Sequence, residues 1–126
     1  MANFEGYEIL EKIAEGNERI VYSALRVSDH TPVILKTLRS SHPSIDMIAL
    51  MYHEYEVAKE INYPGIIRTY DLIDQQNRYA LVQEDMHGIS LQRYLDENLL
   101  LDISLFLKLA IQMVQIIGHL HQLNII

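Results

Sequence analysis

Apolar and polar positions alternate in short runs along the first third of the chain, then switch to helical spacing near residue 44. Tyr7–Ala14, Ile20–Val27 and residues 31–38 (Thr-Pro-Val-Ile-Leu-Lys-Thr-Leu) read as strands, and the polar segment Glu15-Gly16-Asn17-Glu18-Arg19 joins the first two as a hairpin. Ser40-Ser41-His42-Pro43 breaks the chain before a predicted helix over 44–62, with Ser44 as N-cap and Asp46 in its first turn. Met47, Met51, Glu54, Ala58 and Ile61 form one stripe of that helix. Asn62-Tyr63-Pro64-Gly65 is a stop signal. Ile66–Ile73 and Arg78–Asp85 then form a second hairpin around Asp74-Gln75-Gln76-Asn77. The connector Met86-His87-Gly88-Ile89 leads to a small helix at Ser90–Glu97, followed by a long helix from Asp102, its candidate cap, to Gln122. Leu105, Phe106, Leu109, Ala110, Met113, Ile116, Ile117 and Leu120 cover more than one face of the last helix, the pattern of an element enclosed in a larger body.

Two charges interrupt this pattern. Lys36 shares a strand face with Ile34 and Leu38, and Glu54 is the one charged residue of an otherwise apolar helical stripe. An ion pair across a strand–helix contact would account for both, because stranding one buried partner costs about 3–5 kcal/mol. Alternatively Lys36 stands at a strand end and Glu54 on a tilted helix, each reaching water. Spacing alone leaves both readings open.

Composition removes several classes of function. The 126 residues suit one small domain or part of a larger one. A net charge of −7 gives no support to nucleic-acid or anionic-membrane binding. Cysteine is absent, which excludes disulfides, thiol catalysis and thiolate metal sites. The six histidines are scattered, and His119 and His121 do not share a helical face, so no metal site is expected. The start lacks a basic segment followed by an apolar core, and Leu99–Ile126 is interrupted by Asp102, Lys108, Gln112, Gln115, His119 and His121. Neither a signal peptide nor a membrane span is expected, and the expected location is cytoplasmic.

The order of elements and the residues they carry resemble the amino-terminal part of a eukaryotic-type serine/threonine protein kinase domain. Ile13-Ala14-Glu15-Gly16-Asn17-Glu18-Arg19-Ile20-Val21-Tyr22 lies where that family has its glycine-rich loop and following Val-Tyr. Val33-Ile34-Leu35-Lys36 is similar to Val-Ala-Ile-Lys, and His53-Glu54 with Asn62-Tyr63-Pro64-Gly65-Ile66-Ile67 to the glutamate helix and its following turn. Leu81-Val82-Gln83-Glu84-Asp85-Met86 resembles the fifth strand and hinge, and Gly88-Ile89-Ser90-Leu91 the opening of the next helix. Leu120–Ile126 resembles the segment preceding the catalytic loop.

The resemblance implies an α+β fold, a five-stranded antiparallel sheet with one packed helix followed by helices of a truncated C-lobe. Residues 1–85 would be the N-lobe, 86–89 the hinge linker, and 90–126 the first two C-lobe helices. It implies ATP and Mg²⁺ as cofactors, with Lys36 on the α- and β-phosphates and Glu54 as its ion-pair partner. These two would be the catalytic residues within this stretch. Ala14, Gly16, Val21, Ile34, Gln83 as gatekeeper, and the backbone of Glu84 and Met86 would complete the nucleotide site. The catalytic aspartate and the Mg²⁺ ligands of the family would lie beyond residue 126, and a fragment lacking them would be inactive.

Several residues depart from the family pattern. Ala14 and Arg19 replace the first and third loop glycines, and Ile34 replaces the alanine packed against adenine. Arg19 reads as an exposed surface arginine or as a phosphate contact, and Gln83 as bonded to a ligand or to a neighbouring strand. These departures support a competing expectation, a non-catalytic kinase-like interaction module. Pro32–Lys36, the degenerate loop, and Gln83-Glu84-Asp85 with Gly88-Ile89-Ser90-Leu91 nearby look like large bacterial multidomain sensors that carry a serine/threonine-kinase-like domain at the amino terminus and a histidine kinase downstream. Met1 a few residues before the first strand agrees with such an amino-terminal domain. The apolar faces of the 102–122 helix, short of their usual cover, would favour self-association.

Overall fold

The computed structural model describes residues 3–98 and 102–126, so Met1 and the first residues of the apolar run from Leu99 lie outside it. The elements are β1 (Tyr7–Glu15), β2 (Arg19–Arg26), β3 (Pro32–Leu38), α1 (Ile45–Ala58), β4 (Thr69–Gln75), β5 (Arg78–Glu84), α2 (Leu91–Asn98) and α3 (Ile103–Gln122). They group into two compact units, Met1–Asn62 with Ile67–Met86, and Tyr63–Ile66 with His87–Ile126. The first unit thus differs from the expected 1–85 lobe in lacking the four residues of the Tyr63–Ile66 turn and in including Met86.

In the first unit all neighbouring strands run antiparallel in the order β1-β2-β3-β5-β4, which makes β3 the central strand. Alternation along β3 divides the sheet into two faces. Val33, Leu35 and Thr37 point to one side and are buried. Their register partners Ala24 and Tyr22 on β2 and Val82 and Ala80 on β5 share that side, where with Ile73 and Phe4 they form the apolar core. The Thr37 hydroxyl donates to the Ile20 carbonyl at 3.0 Å, which satisfies a polar group in this layer. Ile34, Lys36 and Leu38 face the other side, with Leu81 opposite Lys36. Leu81 is fully buried, as is Met51 of α1, the helix that packs on β4 and β5. The two-sided burial of β5 explains its uninterrupted apolar run Ala80-Leu81-Val82.

α1 begins as expected, with the Ser44 hydroxyl accepting from the Met47 N–H at 3.2 Å. It ends earlier than expected, at Ala58 rather than residue 62, and Ile61 therefore leaves the stripe. The Ile61 N–H already bonds to the Ala58 carbonyl, a tightened turn that closes the helix before the Tyr63-Pro64-Gly65 corner. β4 starts at Thr69, not Ile66; the Ile66 N–H donates to the Tyr63 carbonyl at 3.1 Å, so Tyr63–Ile66 form a turn. The β4–β5 turn is made by Gln76 and Asn77, both at positive φ, a two-residue hairpin whose twist matches the strands it joins.

The second unit contains α2, α3 and the Tyr63–Ile66 turn. The Tyr63 ring stacks on His119 with centroids 4.0 Å apart, and Gly65 sits against Ile116. Asp102 occupies the N-cap position of α3 but makes no side-chain cap bond, so the expected cap is one of position only. α3 is long and apolar enough, by length and composition alone, to cross a membrane, which the interrupting polar residues had been expected to prevent. The single Asp, Glu, Lys or Arg within it, Lys108, and its glutamines and histidines lower the mean hydropathy too little.

Candidate functional site

The site expected around Lys36 can be followed within the first unit, on the sheet face opposite the apolar core. Because β3 is flanked on both sides, its backbone is held by two ladders, and Lys36 projects from a rigid base. Across the β2–β3 ladder Val21 is paired with Lys36 and Arg19 with Leu38. Arg19 and Lys36 therefore lie on one face as diagonal neighbours.

Both cations reach the same carboxylate on α1. Lys36 Nζ donates to Glu54 Oε1 at 2.8 Å, and Arg19 Nη1 donates to Glu54 Oε2 at 2.8 Å. The strand–helix ion pair is thus present, with Lys36 and Glu54 side chains 29% and 32% exposed. Arg19, at 28% exposed, is not a free surface arginine; alternation along β2 points it at the helix that carries Glu54. Partial burial pushes the Glu54 carboxyl up, but hydrogen bonds and positive charge from Lys36 and Arg19 outweigh it and hold the group below the usual carboxylate range. Two cations on one anion leave the cluster with a net positive charge.

The hairpin above this cluster is held by its own bonds. The Gly16 N–H donates to the Arg19 carbonyl at 2.8 Å, closing the turn. The Arg39 N–H donates to the Glu18 carbonyl at 2.8 Å, and its guanidinium donates to the Gly16 carbonyl at 3.1 Å and lies 3.4 Å from Glu15 Oε1. Lys12 pairs with the other Glu15 oxygen at 2.7 Å. Gly16 lies outside the left-handed backbone region, and a Cβ there would meet its nearest atom, the Arg19 carbonyl oxygen, at 3.7 Å. Neither the backbone conformation nor the space around it requires glycine here. Nothing in the residue order marked Arg39 for this role, since it lies beyond the end of β3 and makes its bonds through the fold.

The remaining expected residues also belong to this unit. Ala14 is paired with Val21 on the edge strand and is exposed. Val21 and Ile34 are half-buried, and Ile34 stands opposite Gln83, so Val21, Ile34, Lys36 and Gln83 share one face. The Gln83 amide donates to Thr69 Oγ1 on β4 at 3.4 Å. The Glu84 N–H donates to the Arg68 carbonyl at 2.9 Å. Met86 is exposed in the irregular segment that follows β5. Among the described residues no group of three or more His, Cys, Asp or Glu is placed to hold a metal ion.

The protein kinase domain family model matches residues 7–126. The chain is 30% identical over 121 residues to the serine/threonine-protein kinase PrkC of Bacillus subtilis (strain 168), covering 95% of this chain and 19% of that protein. It is 29% identical over 125 residues to cyclin-dependent kinase 1 of Encephalitozoon cuniculi (strain GB-M1), covering 96% of this chain and 42% of the relative. The chain therefore spans less than half the length of either relative.

Proposed function

The chain belongs to the protein kinase domain family, and we propose that residues 1–126 form the ATP-binding portion of a serine/threonine kinase domain acting in signal transduction. The observation that carries this reading is the Lys36–Glu54 ion pair at 2.8 Å, on a sheet face shared with Val21, Ile34 and Gln83. Lys36 is then the group that holds the ATP phosphates, and Glu54 fixes its direction. Phosphoryl transfer depends on such positioning and on charge stabilisation rather than on covalent chemistry by the protein. Val21 and Ile34 supply apolar surface for adenine, with the backbone of Glu84 and Met86 at its polar edge. Ala14 and Gly16 lie on the hairpin that covers the phosphates.

Mg²⁺ would be bound together with the nucleotide phosphates, by residues other than those described, among which no group of three or more His, Cys, Asp or Glu is placed to hold it. The family's catalytic aspartate and metal-binding residues follow the stretch that Leu120–Ile126 resembles, so transfer to a protein substrate is assigned to the longer domain and not to these residues alone. A cytoplasmic location, a multidomain bacterial sensor as parent, and self-association through α3 complete the proposal. The exposed Ile103, Phe106, Leu107, Ile111, Met113 and Val114 support the last point.

A second reading, a kinase-like regulatory module without transfer activity, is favoured by one observation. The N–H of the remaining loop glycine is engaged within the hairpin. A thermal-shift titration with Mg-ATP separates the two. ATP binding is expected to stabilise the chain by about 2.7 kcal/mol at a hundredfold excess over Kd, and Lys36→Met is expected to abolish most of it. No stabilisation at millimolar Mg-ATP would overturn the ATP-binding reading and leave the module.

A further inference from the structure

We propose that Arg19 is a second phosphate-anchoring cation, occupying by side chain the role that loop backbone plays where the third glycine is present. The inference rests on the ATP-binding reading of Lys36. Arg19 and Lys36 share one carboxylate, each at 2.8 Å, so their charged ends are held within reach of a single small anion. Glu54 neutralises only one of the two charges. The guanidinium carries five N–H donors and the ammonium three, and Glu54 takes one from each among the described residues. The remaining donors of a planar guanidinium suit phosphate oxygens in particular.

The hairpin makes the substitution necessary as well as feasible. Its Gly16 N–H closes the turn onto the Arg19 carbonyl, and its Gly16 carbonyl and Glu15 carboxylate are tied down by Arg39. A turn bonded in this way cannot offer the Gly16 N–H to a phosphate without opening. Arg19 stands at the base of the same turn, on the face of Lys36, and offers charge from below instead. Glu54 thereby orients two cations at once, and the ligand class is a nucleoside polyphosphate rather than a nucleoside.

The test is binding of Mg-ATP and of adenosine, by calorimetry, to the full chain and to Arg19→Gln. Glutamine retains an amide donor for Glu54 but removes the charge, so a merely structural tether between β2 and α1 is largely kept. The variant is expected to bind Mg-ATP about tenfold more weakly, equivalent to about 1.4 kcal/mol, with adenosine affinity unchanged. Arg19→Lys is expected to restore part of the loss, and wild type to show a steeper salt dependence for Mg-ATP than Arg19→Gln. Equal Mg-ATP affinity in wild type and Arg19→Gln would overturn this role while leaving the ATP-binding reading in place. Parallel losses for ATP and adenosine would assign Arg19 a purely structural role and also overturn it. Failure of wild type to bind Mg-ATP would remove both.

Discussion

Replacing Glu54 by glutamine should expose how much of the fold depends on one carboxylate. The substitution keeps shape and length but removes the anion between Lys36 and Arg19, leaving two cations that face the same point. An exposed pair contributes about 0.2–1 kcal/mol, whereas stranding a fully buried partner costs about 3–5 kcal/mol. These side chains are 28–32% exposed, so solvent screens part of the interaction. A loss of about 2 kcal/mol is expected, between the two limits, and should lower the urea midpoint by about 1 M with an unchanged slope. The pH dependence carries a second signature. Glu54 is held below its ordinary carboxylate range in the folded state. Its contribution is therefore fully present above the unfolded-state pKa and lost as pH falls through the depressed folded value. Glu54→Gln should lack that part of the acid destabilisation. The sign of a third effect is the sharpest check. Arg19→Met should destabilise the wild type but be neutral or stabilising in the Glu54→Gln background, where it relieves repulsion. Additive effects of the two substitutions, or an unchanged urea midpoint for Glu54→Gln, would refute the shared-carboxylate account.

Other perturbations probe the frame around this cluster. Met51 is fully buried where α1 covers the sheet, and Met51→Ala should destabilise by about 2–5 kcal/mol in urea unfolding. Gly65 has φ +95° and a Cβ there would come within 2.8 Å of Ile116 Cδ1, so Gly65→Ala should destabilise by about 1–2 kcal/mol. Gly16→Ala, with neither strain nor crowding, should leave the unfolding midpoint unchanged; a loss matching that of Gly65→Ala would show that the loop depends on glycine after all.

Much of the architecture was readable from periodicity, and the places where it was not share a cause. The three-strand, helix, two-strand order and the Ser44 cap follow from local patterns, since alternation and capping involve residues near one another in the chain. Lys36 and Glu54 were legible as charges out of place on apolar faces. Arg19 was not, because the segment before Ile20 read as turn rather than strand and its face relative to Lys36 is set by the β2–β3 register. Arg39 carried no local signal, as its partners Glu15, Gly16 and Glu18 are brought to it by strand pairing. The end of α1 and the start of β4 differ from the expected bounds because the chain turns locally, with the Ile61 N–H on the Ala58 carbonyl and the Ile66 N–H on the Tyr63 carbonyl.

Residue order alone thus settled which elements form and which two charges stand out, because those properties arise from neighbours along the chain. The tertiary structure decided that one carboxylate serves two cations, that the glycine hairpin is closed by its own N–H, and that β3 is the central strand. Each of these depends on β2, β3, α1 and the segment after β3 meeting in space. Only the sheet register could bring Arg19 beside Lys36 and so give Glu54 a second charge to balance.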